Sequence, residues 1–206
     1  MSAMLQTPNA TAGRVAPTAF DLDLRVKSNT AVNGEYRMMV LDAPAHVLEQ
    51  CQAGQFFNIL CPQAGGETPY LRRPMSIYGF YPEKNELHFL YKVGGAGTRA
   101  MATLGENDSL TVFGPLGTPF TIEPDWNHLV LVARGVGLAT LAPLALEAKR
   151  LGRRLTAVCS ARHPDYLMSI DLFEGLGAKV VALTDAEGTS APDNLEKVLE
   201  GLIAEG

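Results

Sequence analysis

The chain has 206 residues, 47% of them hydrophobic, and carries a formal charge of −5. That length supplies a core for one large domain or two small ones, and the acidic balance weighs against a nucleic-acid partner. No apolar run is long enough to cross a bilayer and no secretory signal opens the chain, so a cytoplasmic protein without a membrane partner is expected.

Residues 1–18 are rich in Ala, Thr and Pro and read as a flexible leader. Strand patterns follow. Phe20, Leu22, Leu24 and Val26 alternate with polar residues up to Lys27, Asn33-Gly34 signals a turn, and Tyr36–Leu41 reads as a second strand. Phe56–Cys61 is a third. Met75–Tyr81 and Glu86–Val93 flank Pro82–Asn85 as a hairpin, Thr98–Leu104 suits a short helix, and Ser109–Phe113 closes the series. Six short strands with turns between them predict a small antiparallel barrel over residues 19–121.

The pattern changes between Phe120 and Asp125. His128–Ala133 is a largely apolar run that ends in Gly135-Val136-Gly137. A helical pattern over about 141–151, a strand over Arg154–Cys159, a helical Leu167–Leu176 and a strand over Ala178–Leu183 come next. This βαβαβ order predicts a doubly wound parallel sheet, assigned to residues 122–206, because uninterrupted apolar strands are those that helices cover on both faces. Asn194–Ala204 is a last helical pattern.

Three segments carry chemistry. Within Leu71-Arg72-Arg73-Pro74-Met75-Ser76-Ile77-Tyr78 an extended strand alternates its side chains, so Arg73 and Ser76 project to opposite sides. A guanidinium fork suits a pyrophosphate, and a hydroxyl suits a flavin ring nitrogen. Gly94-Gly95-Ala96-Gly97-Thr98 lets the main chain approach a phosphate closely, with Thr98 placed to cap the next helix. Gly135-Val136-Gly137 stands between strand and helix, the context of a dinucleotide phosphate turn. Cys51, Cys61 and Cys159 lie in no CxxC and have no His at ligand spacing, so no metal is assigned, and Cys61 and Cys159 read as buried thiols. His46, His88, His128 and His163 are scattered and form no catalytic pair.

These segments, with Tyr91-Lys92-Val93 before the first glycine turn and Gly114-Pro115-Leu116-Gly117 after the barrel, resemble in order and spacing the motifs of the ferredoxin–NADP reductase superfamily. Within it the chain is most similar to the electron-transfer subunits of class B dihydroorotate dehydrogenase, from about Phe20 to Leu199. The resemblance implies a six-stranded antiparallel FAD-binding barrel followed by a partial doubly wound, NAD(P)-binding α/β domain. It places Arg73, Pro74, Met75, Ser76, Tyr91, Lys92, Val93, Gly95, Gly97 and Thr98 at FAD, and Gly135 and Gly137 at NAD(P)H. Ser76 is the catalytic candidate, a hydroxyl approaching flavin N5. Tyr78 and Tyr91 either border the cofactor or belong to the barrel core, and Arg72 is either a phosphate contact or a solvated charge.

The chain departs from the family at Arg134, where a glycine is usual, and at Thr140, where a proline is usual. Arg134 either adds a cation for the pyrophosphate or obstructs the dinucleotide. Arg162 suits a 2′-phosphate, and Asp165 is a candidate for the ribose. The implied activity is FAD-dependent transfer of electrons from NAD(P)H to a partner redox protein or catalytic subunit, in a homo- or hetero-oligomer. The alternatives are a stand-alone NAD(P)H flavin reductase or oxygenase reductase component, and a non-catalytic flavin-binding or assembly subunit. Family members continue with a further parallel strand, and the dihydroorotate dehydrogenase subunits with a cysteine-rich segment for a [2Fe–2S] cluster. Neither lies within these 206 residues, so the α/β domain is expected to be incomplete and the cluster to lie outside this chain.

Overall fold

The computed structural model describes residues 19–204; the leader expected over 1–18 lies outside them. The first half is a curled antiparallel sheet made of β1 (Phe20–Ala31), β2 (Tyr36–Asp42), β3 (Phe56–Leu60), β4 (Arg73–Ser76), β5 (Gly79–Tyr81), β6 (Glu86–Lys92) and β7 (Ser109–Leu116). Two short helices, α1 (Ala45–Leu48) and α2 (Ala96–Ala102), sit in its connections. The strand order is β4-β3-β7-β1-β2-β6-β5.

The sheet has seven strands where the sequence predicts six. The run Met75–Tyr81 reads as one strand but divides at Ile77 and Tyr78. Its first part pairs with β3, and its second part pairs with β6 at the opposite edge. The chain therefore steps directly from one edge of the sheet to the other, which forces the sheet to curl. Ile77 N–H donates to the Gln55 carbonyl at 3.1 Å on the β3 side, and Tyr78 N–H donates to the His88 carbonyl at 2.9 Å on the β6 side.

β1 runs four residues beyond the predicted Lys27, to Ala31. Val26 pairs with Leu41 and Ser28 with Val40, so Lys27 is the extra residue of a β-bulge. A bulge resets which face each side chain meets, which is why the alternation fades there although the strand continues. At the turn, the Asn33 side-chain oxygen accepts from the amides of Glu35 and Tyr36 at 3.0 and 3.1 Å, locking the entry to β2.

The barrel core is built on Phe57, Phe89, Tyr91, Met39, Leu41 and Ile59, with the Phe57 and Phe89 rings edge to face at 6.0 Å. β6 is apolar on both sides for a reason: Leu87, Phe89 and Tyr91 point into the barrel, whereas Leu90 joins Tyr36 in a second core shared with the following domain.

That domain is a parallel sheet in the order β10-β9-β8, from β8 (His128–Arg134), β9 (Arg154–Ala161) and β10 (Lys179–Thr184). Helix α3 (Leu138–Arg150) and α4 (Ile170–Gly175) pack with Leu129, Leu131, Leu155, Ala157 and Cys159 on one face. Helix α5 (Pro192–Ala204) places Leu202 against Val158 and Leu183 on the other. On β8 the outward Val130 and Val132 remain 38% and 44% exposed.

Two helix boundaries differ from the sequence pattern. α3 begins at Leu138, directly out of a tight turn over Gly135–Gly137 and ahead of the predicted start near 141, so Pro143 sits in its second turn. There it withholds the amide that the Ala139 carbonyl would otherwise receive. α4 begins only at Ile170, because Pro164–Tyr166 forms its own short turn and Ser169 adopts a left-handed backbone with φ 61°.

Candidate functional site

The two halves meet where Lys92 at the end of β6 and the turn at Gly135 line a common cavity and where Ser76 of β4 bonds to Thr140 of α3. Arg73 opens β4. Its guanidinium donates to the Leu71 and Arg72 carbonyls at 2.6 and 3.4 Å and, among the described residues, pairs with no carboxylate. Its stem lies across Gly97: a Cβ there would sit 3.3 Å from Arg73 Cγ and 2.9 Å from Cys61 Sγ. Glycine is required at 97 because an arginine and a thiol occupy the space a side chain would need.

The start of α2 completes this corner. Thr98 Oγ1 accepts from the amides of Gly94 and Gly95 at 3.0 and 3.2 Å and donates to the Gly95 carbonyl at 3.1 Å. The first amides of the helix itself, at Ala96 and Gly97, have no intrahelical acceptor. An uncompensated guanidinium beside helix-start amides is an arrangement that favours a phosphate anion. Thr98 thus shapes the turn by capping it. Arg99 anchors the same turn, donating to the Gly94 carbonyl at 2.8 Å while pairing with Glu67.

Arg72 is occupied elsewhere. It binds Asp21 at 3.1 Å and the Asn58 carbonyl at 3.3 Å, so it ties the β4 edge to the barrel. Met75 packs on the barrel core, and Pro74 is exposed opposite Asn58. Tyr91 is core: it is 1% exposed, and its hydroxyl donates to the Asn29 side chain at 2.9 Å. Val93 also packs on that core and donates its amide to the Glu35 carbonyl at 2.8 Å.

Ser76 projects to the side opposite Arg73 and meets the second domain. Thr140 Oγ1, in the first turn of α3, donates to Ser76 Oγ at 2.8 Å. Beside it the Tyr78 hydroxyl shares a hydrogen bond with Ser169 Oγ at 2.9 Å. Burial pushes the Tyr78 phenol up, and the Ser169 bond opposes that in part.

The Gly135–Gly137 turn faces the barrel at Tyr36. Gly135 has φ 55°, and a Cβ there would lie 3.0 Å from the Tyr36 hydroxyl. At Gly137 a Cβ would meet only Ala133, at 3.7 Å. Three cations expected near nucleotides are held by acids. Arg134 is forked onto Asp185 at 2.6 and 3.2 Å and reaches Ser160 at 3.0 Å. Lys92 pairs with Glu35 at 3.1 Å over the Tyr36 ring, and Arg162 pairs with the same Glu35 while lying over the Tyr166 ring at 4.5 Å. Lys92, and after it Arg162, hold the Glu35 carboxyl below its ordinary range, and Arg134 does the same for Asp185. Glu35, Tyr36, Lys92, Arg134, Gly135, Val136, Arg162 and Tyr166 line a cavity of about 230 Å³ between the domains.

The structure therefore gathers Arg73, Gly97 and Thr98 into one corner, and Ser76 with Thr140 and Lys92 with Gly135 along the domain boundary. It buries the Tyr91 ring in the barrel core. Glu35, Tyr36, Ser169 and Asp185 were not singled out from the sequence, where each is an ordinary strand, loop or turn residue with no motif around it. No group of His, Cys, Asp and Glu able to hold a metal occurs among the described residues, and no described helix is long and apolar enough to cross a membrane.

No protein-family model matches the chain. Its sequence is 35% identical over 140 residues to a Thermotoga maritima protein named as a homolog of the electron-transfer subunit of dihydroorotate dehydrogenase B (NAD(+)), covering 68% of this chain and 47% of that one. It is 31% identical over 121 residues to the subunit so named in Streptococcus pneumoniae, covering 58% of this chain and 47% of that one. The chain spans about half the length of these curated relatives. Among solved structures it superposes on an NADH-dependent reduced ferredoxin–NADP oxidoreductase, described in connection with flavin-based electron bifurcation, with a TM-score of 0.68 and 29% identity over 79% of this chain and 56% of that one.

Proposed function

On the premise that the chain is a ferredoxin–NADP reductase-like protein, homologous to dihydroorotate dehydrogenase electron-transfer subunits, we propose that it binds FAD and passes electrons from NAD(P)H to a partner redox protein or catalytic subunit. The observation that carries this reading is the Arg73 corner. A half-buried arginine without an acidic partner among the described residues lies at the start of α2, and the absence of a side chain at Gly97 lets its stem pack there. The donor set fits the FAD pyrophosphate.

In this reading Arg73 and the amides at Ala96 and Gly97 hold the pyrophosphate, and Ser76, on the other side of β4, addresses the flavin N5. Bound FAD would supply the chemistry, accepting a hydride from a nicotinamide and releasing electrons onward. The chain's own work is alignment and exclusion of water. Gly137, whose Cβ position meets only Ala133, leaves the backbone open to a dinucleotide, and the Asp185 pairing draws the Arg134 guanidinium toward the end of β10. Tyr36 and Leu90 seal the barrel against the α/β domain.

The test is an absorption spectrum of the purified protein after incubation with FAD and desalting, followed by anaerobic addition of NADH and NADPH. A retained flavin spectrum that bleaches with either nucleotide is expected. Colourless protein under those conditions overturns the reading, and a retained flavin that neither nucleotide bleaches overturns its nicotinamide half.

A further inference from the structure

A hydroxyl has one proton to give and two lone pairs to receive with. In an α-helix, a threonine hydroxyl commonly turns back onto a carbonyl of the preceding turn. Thr140 instead reaches out of α3 and donates to Ser76 Oγ at 2.8 Å, joining residues 64 positions apart across the domain boundary. Both side chains are partly buried, so water competes with this bond only weakly. By accepting from Thr140, Ser76 has one lone pair engaged and its own proton left over. A hydroxyl that accepts a hydrogen bond also becomes a better donor.

We propose that Thr140 is a positioning residue for Ser76, orienting its hydroxyl as the hydrogen-bond donor toward the flavin N5. The inference rests on the reading above that Ser76 addresses N5, and it gives a use to a residue whose identity departs from the family pattern. A proline at 140 could not make this contact. Thr140 does not touch the cofactor in this scheme. It sets which way the Ser76 proton points and holds β4 against the first turn of α3 while doing so.

The test uses the full FAD-loaded chain with Thr140→Val, which keeps the shape and removes the donor, Thr140→Ser, which keeps the donor, and Ser76→Ala. The readouts are the resonance Raman band of the flavin C4a=N5 stretch, the FAD dissociation constant and the rate of flavin reduction by NADH. Ser76→Ala should shift the band. Thr140→Val should shift it in the same direction and slow reduction by about fivefold, the size expected for one neutral hydrogen bond, with FAD affinity unchanged. Thr140→Ser should leave the band at its original position. A shifted band in Ser76→Ala with an unshifted one in Thr140→Val overturns the role of Thr140 alone. Equal shifts in Thr140→Val and Thr140→Ser also overturn it, since a packing role would ignore the hydroxyl. An unshifted band in Ser76→Ala overturns the assignment of Ser76 to N5, and the inference with it.

Discussion

Arg73 and Arg72 are adjacent in sequence and opposite in circumstance. Arg72 spends its charge on Asp21, and Arg73 has no acid to answer it among the described residues. Replacing Arg73 with Ala should therefore remove a charge-assisted contact worth about 1.5–3 kcal/mol and weaken FAD binding by roughly ten- to a hundredfold. Arg72→Ala should change that affinity by less than about threefold, because it loosens an exposed ion pair instead. Titration of flavin-free protein with FAD, followed by flavin fluorescence, reads both, and similar losses in the two variants would count against the corner at Gly97. The thiols give a second expectation at this scale. Burial pushes Cys51 up to about 12 and Cys159 up to about 11, and Cys61 is raised by burial against an opposing pull from Arg73. A disulfide thiol reagent at pH about 8 should leave all three cysteines unmodified in the folded protein and titrate all three after unfolding.

At the scale of elements, the local signals were readable. Strand alternation, the Asn33-Gly34 turn, the Pro82–Asn85 hairpin and the strand–glycine–helix order at Gly135 each depend on neighbours in sequence. What could not be read there depends on docking. The bonds Thr140–Ser76, Arg134–Asp185 and Arg162–Glu35 join residues 64, 51 and 127 positions apart. Tyr91 was open in the sequence between a cofactor border and the barrel core, and the period of β6 sends its ring inward with Phe89. Gly114 is the element-level counterpart of Gly97. A Cβ at 114 would fall 2.5 Å from the Phe57 ring, where β7 bulges past β3. Gly114→Ala should thus destabilise the barrel by about 1–3 kcal/mol, seen as a lower urea midpoint with an unchanged slope. An unaltered midpoint would mean that Phe57 can move, which its complete burial argues against.

For the whole molecule, acid stability follows from the carboxylates. Glu35, Glu67, Glu86, Glu147 and Asp185 are lowered chiefly by hydrogen bonds from Lys92, Arg99, His88, Arg150 and Arg134 respectively. A carboxylate lowered in the folded state contributes stability that is complete above its unfolded value, near 4.5 for Glu and 3.8 for Asp, and is lost as pH falls through the folded value. Thermal midpoints should accordingly show no loss from these groups above pH about 5 and a decline below about 4. Glu35→Gln should soften that decline, since Glu35 gathers Lys92 and Arg162 from both sides of the domain boundary. A decline of unchanged steepness would assign the acid limb to the other pairs.

The passage of the backbone through Ile77 and Tyr78 has a consequence for how the molecule could be re-wired. β4 and β5 are the margins of one sheet, and peptide linkage rather than a ladder of hydrogen bonds bridges them. A circular permutant with its new ends at that stitch would leave the two margins untethered, and the cylinder could gape right beside the hydroxyl of Ser76. New ends at Glu83 and Lys84 would cut a hairpin whose strands stay laced to each other. The first permutant should lose its grip on flavin while keeping its strands, and the second should keep both.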